Sequence, residues 1–270
     1  MFLNPHLTQT ILIALVVGAC SGAVGAFIVL RRMALVGDAL SHVALPGIAL
    51  ALAYGIDPFF GVIGFLTVAA VIVWLLEERT NLPSEAIVGL LFTASLAVGI
   101  LTIPSIDILE SLFGEFPQFN PLALTLVLSA GAILTIATFF LARRFLFAIV
   151  SSDLARTEGL GRGNDLVLLL IFAFAVSLGI KLVGTLLMGA LTIIPAAIAK
   201  NISGSMKGYM IASTVLGALL AVSGVIIADS LHSIGSITLL PGPTIILLGA
   251  GVFLVSLSMP FGGEFFRIKK

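Results

Sequence analysis

Of the chain's 270 residues, 60% are hydrophobic and only 10% charged, against about 25% charged in an ordinary soluble domain. That balance excludes a water-soluble enzyme and identifies an integral membrane protein. Thirteen Lys and Arg offset thirteen Asp and Glu to a formal net charge of zero, which leaves no footprint for nucleic acid, so charge has to be read from its placement.

The first ten residues lack the basic region of a cleaved signal peptide, so the first apolar run, 11–30, is expected to stay as a span. Further apolar runs follow at 35–54, 59–76, 84–104, 121–142, 165–180, 183–199, 208–228 and 240–259. Each approaches the roughly 20 residues that carry a helix across a bilayer. Turn-forming residues separate them: Gly55-Ile-Asp57-Pro58, Asn81-Leu-Pro83, Asn120-Pro121 and Asn201-Ile-Ser-Gly204. No polar block is left for a second domain. Residues 1–270 therefore read as one transmembrane domain, an all-α polytopic helical bundle of nine segments, or of eight with one broken or re-entrant segment around Lys181. Cys20, the single cysteine, has no disulfide partner and reads as a small apolar filler.

If nine segments cross, the connections alternate sides. Arg31, Arg32, Arg79, Arg143, Arg144, Arg156, Arg162, Lys200, Lys207, Arg267, Lys269 and Lys270 then share one side and Lys181 alone takes the other. The side rich in Lys and Arg is cytoplasmic by the positive-inside rule, which puts the N-terminus outside and the C-terminus inside.

Within the second segment, Asp38 and His42 stand in an otherwise apolar stretch. An ionisable group at membrane depth costs a few kcal/mol or more unless it is paired, hydrated or ligated. Four residues apart on a helix, the two lie one turn apart on one face, about 6 Å along the axis, and can share one small cation. Pro46-Gly47 is expected to break this helix just beyond them, while Pro195 is expected to kink the seventh segment and Pro241-Gly242-Pro243 to open the last. The fourth connection carries Asp107, Glu110 and Glu115 and no base, a mouth that concentrates cations. In the largest cytoplasmic loop, Ser152 or Asp153 can cap a short helix that Gly159 ends. A helix of about six residues does not hold alone in water, so this one is expected to dock on something. Asp229 and His232, at the outer end of the eighth segment, form a second candidate metal pair.

The chain has no G-x-x-x-x-G-K-[ST] phosphate loop, so ATP is not bound here by that route. It also lacks a His-Glu-x-x-His pair or a nucleophile elbow. A metal-dependent intramembrane hydrolase would need a further acid or base beside His42, and none is visible.

The run Arg31-Arg-Met-Ala-Leu-Val-Gly-Asp38-Ala-Leu-Ser-His42-Val-Ala-Leu-Pro46-Gly47 resembles the signature of the permease subunits of manganese, zinc and iron ABC importers. Ser84-Glu85-Ala86-Ile-Val-Gly89-Leu-Leu-Phe92, Ser111-Leu-Phe113-Gly114-Glu115, Lys181-Leu-Val-Gly184-Thr-Leu-Leu and Leu191-Thr-Ile-Ile-Pro195-Ala-Ala resemble further elements of that family, so the likeness covers most of the chain. The resemblance implies a multi-pass protein of a prokaryotic cytoplasmic membrane that moves a divalent metal ion and binds no permanent cofactor. It implies cytoplasmic ABC ATPase subunits that bind the ATP, an extracytoplasmic metal-binding protein, and a second permease chain, most simply an identical one. Asp153, Ala155, Arg156, Glu158 and Gly159 match the coupling helix that such permeases seat in the ATPase. Asp38 and His42, a carboxylate and a neutral imidazole, suit borderline divalent ions such as manganese, iron and zinc. The alternative is a self-sufficient secondary transporter or channel in which Asp38 and His42 relay protons or a coupling ion.

Overall fold

In hydrocarbon a backbone amide finds no water, so each apolar run has to satisfy its own N–H and C=O groups, which locally means a helix. The computed structural model describes residues 5–80, 82, 84–102, 120–150, 161–234 and 240–258. Among these residues all regular structure is helical: α1 (Pro5–Leu30), α2 (Ala34–Ala53), α3 (Pro58–Arg79), α4 (Ser84–Thr102), α5 (Pro121–Val150), α6 (Gly161–Val183), α7 (Thr185–Ile202), α8 (Met206–Ile234) and α9 (Pro241–Leu257). All nine expected segments are present. Five of them, α1, α3, α5, α6 and α8, are long and apolar enough by themselves to cross a membrane. The other four run 17 to 20 residues, about 26–30 Å of helix, close to the hydrocarbon thickness.

The bundle is built on the crossing of α1 with α8. Lipid tails are as apolar as leucine, so helices in a membrane gain little from burying more of it and associate instead through close backbone approach and hydrogen bonds. Both devices occur here at four-residue intervals. Tyr209 donates its hydroxyl to the carbonyl of Ala26 at 3.0 Å, and Ser213 donates to that of Gly22 at 2.5 Å. One turn on, Gly217 and Gly18 face each other so closely that a Cβ on Gly217 would sit 2.1 Å from the Gly18 carbonyl oxygen. Counting up along α8 while counting down along α1 makes the pair antiparallel, as alternating spans require.

Other contacts fix which ends lie together. Arg31, just past α1, pairs with Asp165 near the start of α6. Asn201, near the end of α7, donates to Ser256 near the end of α9 at 2.9 Å. With the Tyr209–Ala26 bond, these gather the ends of α1, α7 and α9 and the starts of α6 and α8 on one side. The sequence places Arg31, Arg32, Lys200 and Lys207 on that side too.

Around Lys181 the structure has two helices rather than one broken segment. Only Gly184 separates α6 from α7, at φ 82° and ψ 165°, a conformation that costs glycine little and other residues about 1–3 kcal/mol. The chain folds back there: a Cβ on Gly179 would meet the sulfur of Met188 at 2.4 Å, although residues nine apart in one straight helix stand about 13.5 Å apart.

The expected break at Pro46-Gly47 does not occur. Helix α2 runs unbroken from Ala34 to Ala53 with Pro46 inside it. Proline is tolerated within membrane helices when neighbouring helices surround the site, and α3, α4 and α7 pack around α2. Gly47 has a packing role instead: a Cβ there would lie 2.5 Å from the carbonyl oxygen of Gly61, so the glycine lets α2 and α3 touch. Pro195 likewise lies inside α7, and Pro241 opens α9 at its first turn.

Candidate functional site

Helix α2 is the inner helix of the bundle. Every residue from Ala39 to Ala49 is buried, the pattern of a helix enclosed on all sides rather than one with a lipid face. His42 keeps 5% of its surface and Ser41 none. The His42 imidazole meets the ring of Phe92 on α4 edge to face, with centroids 5.1 Å apart and planes at 68°. One turn further along α2, Leu45 and Ala49 pack with Leu96.

Beside this helix lies an apolar crevice of about 240 Å³ whose lining includes Val43, Pro46, Phe65, Val68, Leu91 and Ser95, from α2, α3 and α4. Ser95 is its one polar side chain. The imidazole thus lies on a buried, aromatic-edged stretch of α2, next to Val43, which lines the crevice.

Position 38 is the fifth residue of α2, one helical turn before His42. The unbroken helix thus keeps Asp38 and His42 in the register that the sequence implied. Asp229 lies part-buried on α8, and His232 follows on the same helix. The two candidate pairs are not brought together: α7 packs against both α2 and α8, which make little or no contact with each other. Among the described residues, no three His, Cys, Asp or Glu side chains gather into a metal-holding group. Asp107, Glu110 and Glu115 lie outside the described residues, as do Asp153, Ala155, Arg156, Glu158 and Gly159.

Two contacts escaped the sequence reading. Phe92 closes the fourth-segment run that resembles the family, but nothing there linked it to His42. Asp165 carried a faint signal, an acid beside Arg162 at the basic end of an apolar run, but nothing linked it to Arg31.

Residues 4–260 match the ABC 3 transport family. The chain belongs to that family. It is 35% identical over 259 residues to a manganese import system permease protein, ScaB, of Streptococcus gordonii, covering 93% of this chain and 90% of the relative. It is 26% identical over 258 residues to a high-affinity zinc uptake system membrane protein, ZnuB, of Haemophilus influenzae, covering 93% and 96%. Among solved structures it resembles PsaBC from Streptococcus pneumoniae in complex with Fab, at TM-score 0.83 and 29% identity over 99% of this chain and 96% of that one. The likeness spans the whole bundle, so this ABC 3 family chain is a multi-pass membrane protein of the permease type, with α2 and its Asp38–His42 register inside the shared fold.

Proposed function

We propose that the chain is the membrane-spanning permease subunit of an ATP-driven importer that carries a divalent transition metal ion, manganese, zinc or iron, into the cytoplasm. The observation that carries this reading is His42, enclosed in a helix buried on every side from Ala39 to Ala49, with Asp38 one turn before it. An acid and an imidazole are costly in such a helix, and together they offer oxygen and nitrogen donors to a borderline ion. The relatives named for manganese and zinc support the choice of cargo. Two protein donors, completed by water or by a second copy, hold the ion loosely enough to release it.

The basic end faces the cytoplasm, with the N-terminus outside. There Asp153, Ala155, Arg156, Glu158 and Gly159 seat in an ABC ATPase, which binds the ATP this chain has no loop to hold. At the opposite end Asp107, Glu110 and Glu115 receive the ion from an extracytoplasmic metal-binding protein, with Asp229 and His232 on the way. A second, identical permease chain completes the path. Because α2 is enclosed, access to His42 changes only when the helices around it shift, and the ATPase cycle drives that shift.

The test is manganese and zinc uptake by proteoliposomes holding the chain with its ATPase. Asp38→Ala and His42→Ala are expected to reduce uptake to background while the ATPase stays bound. Unchanged uptake in either variant overturns the site. ATP-independent uptake by the chain alone overturns the importer in favour of a secondary transporter or channel.

A further inference from the structure

The Arg31 guanidinium donates to Asp165 Oδ1 at 2.5 Å across 134 positions of sequence. The two side chains keep 19% and 30% of their surface. The bond is thus charge-assisted and partly shielded from water.

Its position gives it a use. Arg31 follows α1 directly, and the chain then turns in two hydrogen bonds, Arg32 N–H to the Val29 carbonyl at 3.1 Å and Met33 N–H to the Ile28 carbonyl at 3.0 Å. This is a Schellman turn with Arg32 at φ 61°, where glycine is the usual occupant. Met33 is buried at 7% exposure, and α2 begins at the next residue, Ala34. No slack lies between the ion pair and α2. On the other side, Asp165 is the fifth residue of α6, six positions after Gly159. Elsewhere α2 touches α1 and α6 only sparsely, being held by α3, α4 and α7. The ion pair therefore ties the start of α6 to the turn that leads into α2, and His42 lies about 12 Å of helical rise beyond that turn.

We propose that the Arg31–Asp165 pair is a coupling strut: it passes movement of the start of α6 to the α1–α2 turn and so to the helix that carries Asp38 and His42. The strut rests on the reading of residues 153–159 as the ATPase-docking segment. Neither residue touches the ion; both act by position.

The test reconstitutes the permease with its ATPase and measures manganese uptake, ATP hydrolysis and melting temperature for Arg31→Gln, Asp165→Asn and the double variant. Each single variant is expected to keep the ATPase bound and its hydrolysis within about twofold, while metal moved per ATP falls about tenfold or more, within the usual range of coupling between sites. The double variant is expected to be no worse than the poorer single one, because both remove one interaction. Should Arg31→Gln fail to fold, the near-isosteric Asp165→Asn carries the test. An unchanged ratio of metal to ATP, with or without a lower melting temperature, overturns the strut and leaves a structural staple. Glu158→Arg is run beside them. If it leaves the ATPase bound and the ratio intact, the docking reading fails and the strut with it; if it uncouples while the pair variants do not, only the strut fails.

Discussion

Gly217→Ala tests whether the α1–α8 seam holds the bundle together. The added Cβ would stand 2.1 Å from the Gly18 carbonyl oxygen, where ordinary contact begins at 3.4 Å. The obstacle is backbone and cannot rotate away, so the helices have to part by about 1 Å, an overpacking cost of roughly 1–3 kcal/mol. The Ser213–Gly22 and Tyr209–Ala26 bonds span the same seam at 2.5 and 3.0 Å and stretch with it. Such bonds between membrane helices average about 0.6 kcal/mol each. The sum is about 2–4 kcal/mol, or a fall in melting temperature of roughly 5–15 °C for a chain of this size. Gly251→Ala is the control: it also lies within a helix, yet no atom stands within 4 Å of its added Cβ. There the substitution relieves glycine's helix penalty and gains about 0.5–1 kcal/mol. The assay is the fraction of detergent-solubilised protein that stays monodisperse on size exclusion after heating. A Gly217→Ala melting point within about 2 °C of the unmodified chain, or equal shifts for both variants, would refute the seam.

Three further outcomes are expected from the same assay. Arg32→Gly removes a side chain from a left-handed position, φ 61°, and should raise stability by about 1 kcal/mol, whereas Arg32→Val should lower it. Ser256→Ala removes the acceptor that Asn201 reaches at 2.9 Å and should cost about 0.6 kcal/mol, a fall of some 1–3 °C. Phe92→Leu removes the edge-to-face partner of His42, 5.1 Å away, at a cost of roughly 0.5–1.5 kcal/mol. If that ring sets the imidazole's orientation, the metal concentration for half-maximal uptake rises about fivefold, which a transport titration would read.

The nine helices among the described residues were legible because each needs a run of apolar residues and the connections carry residues that end helices. Their limits were less so. Helix α5 continues to Val150, past the expected end at residue 142, because Arg143 and Arg144 stay exposed while Phe145 tucks against Phe27 with ring centroids 5.3 Å apart. Apolar count alone stops at the arginines. Pro46-Gly47 misled for the opposite reason: in water such a dipeptide ends a helix, but here neighbours on every side hold the helix together and the glycine seats α3. Asp38 and His42 stood out because their chemistry is wrong for hydrocarbon. Phe92 and Asp165 did not: the Phe92 ring against His42 and the Asp165 carboxylate on Arg31 are contacts between distant positions, 134 apart in the second case, and such contacts leave no local trace.

The single-residue link at Gly184 bears on how the protein is made. With nothing but one glycine between α6 and α7, there is no loop for the insertion machinery to pass through after the first helix has settled. The two are therefore expected to enter the bilayer together, before α6 settles against α1 and α3 and α7 against α2 and α8. Lys181, three residues before that glycine, is then expected to enter with them, at a cost of about 2.5–3.5 kcal/mol at a helix centre and less near an end. Replacing Gly184 with a branched residue should therefore show first in the newborn chain, as a failure of topology during synthesis, before it shows in the folded protein.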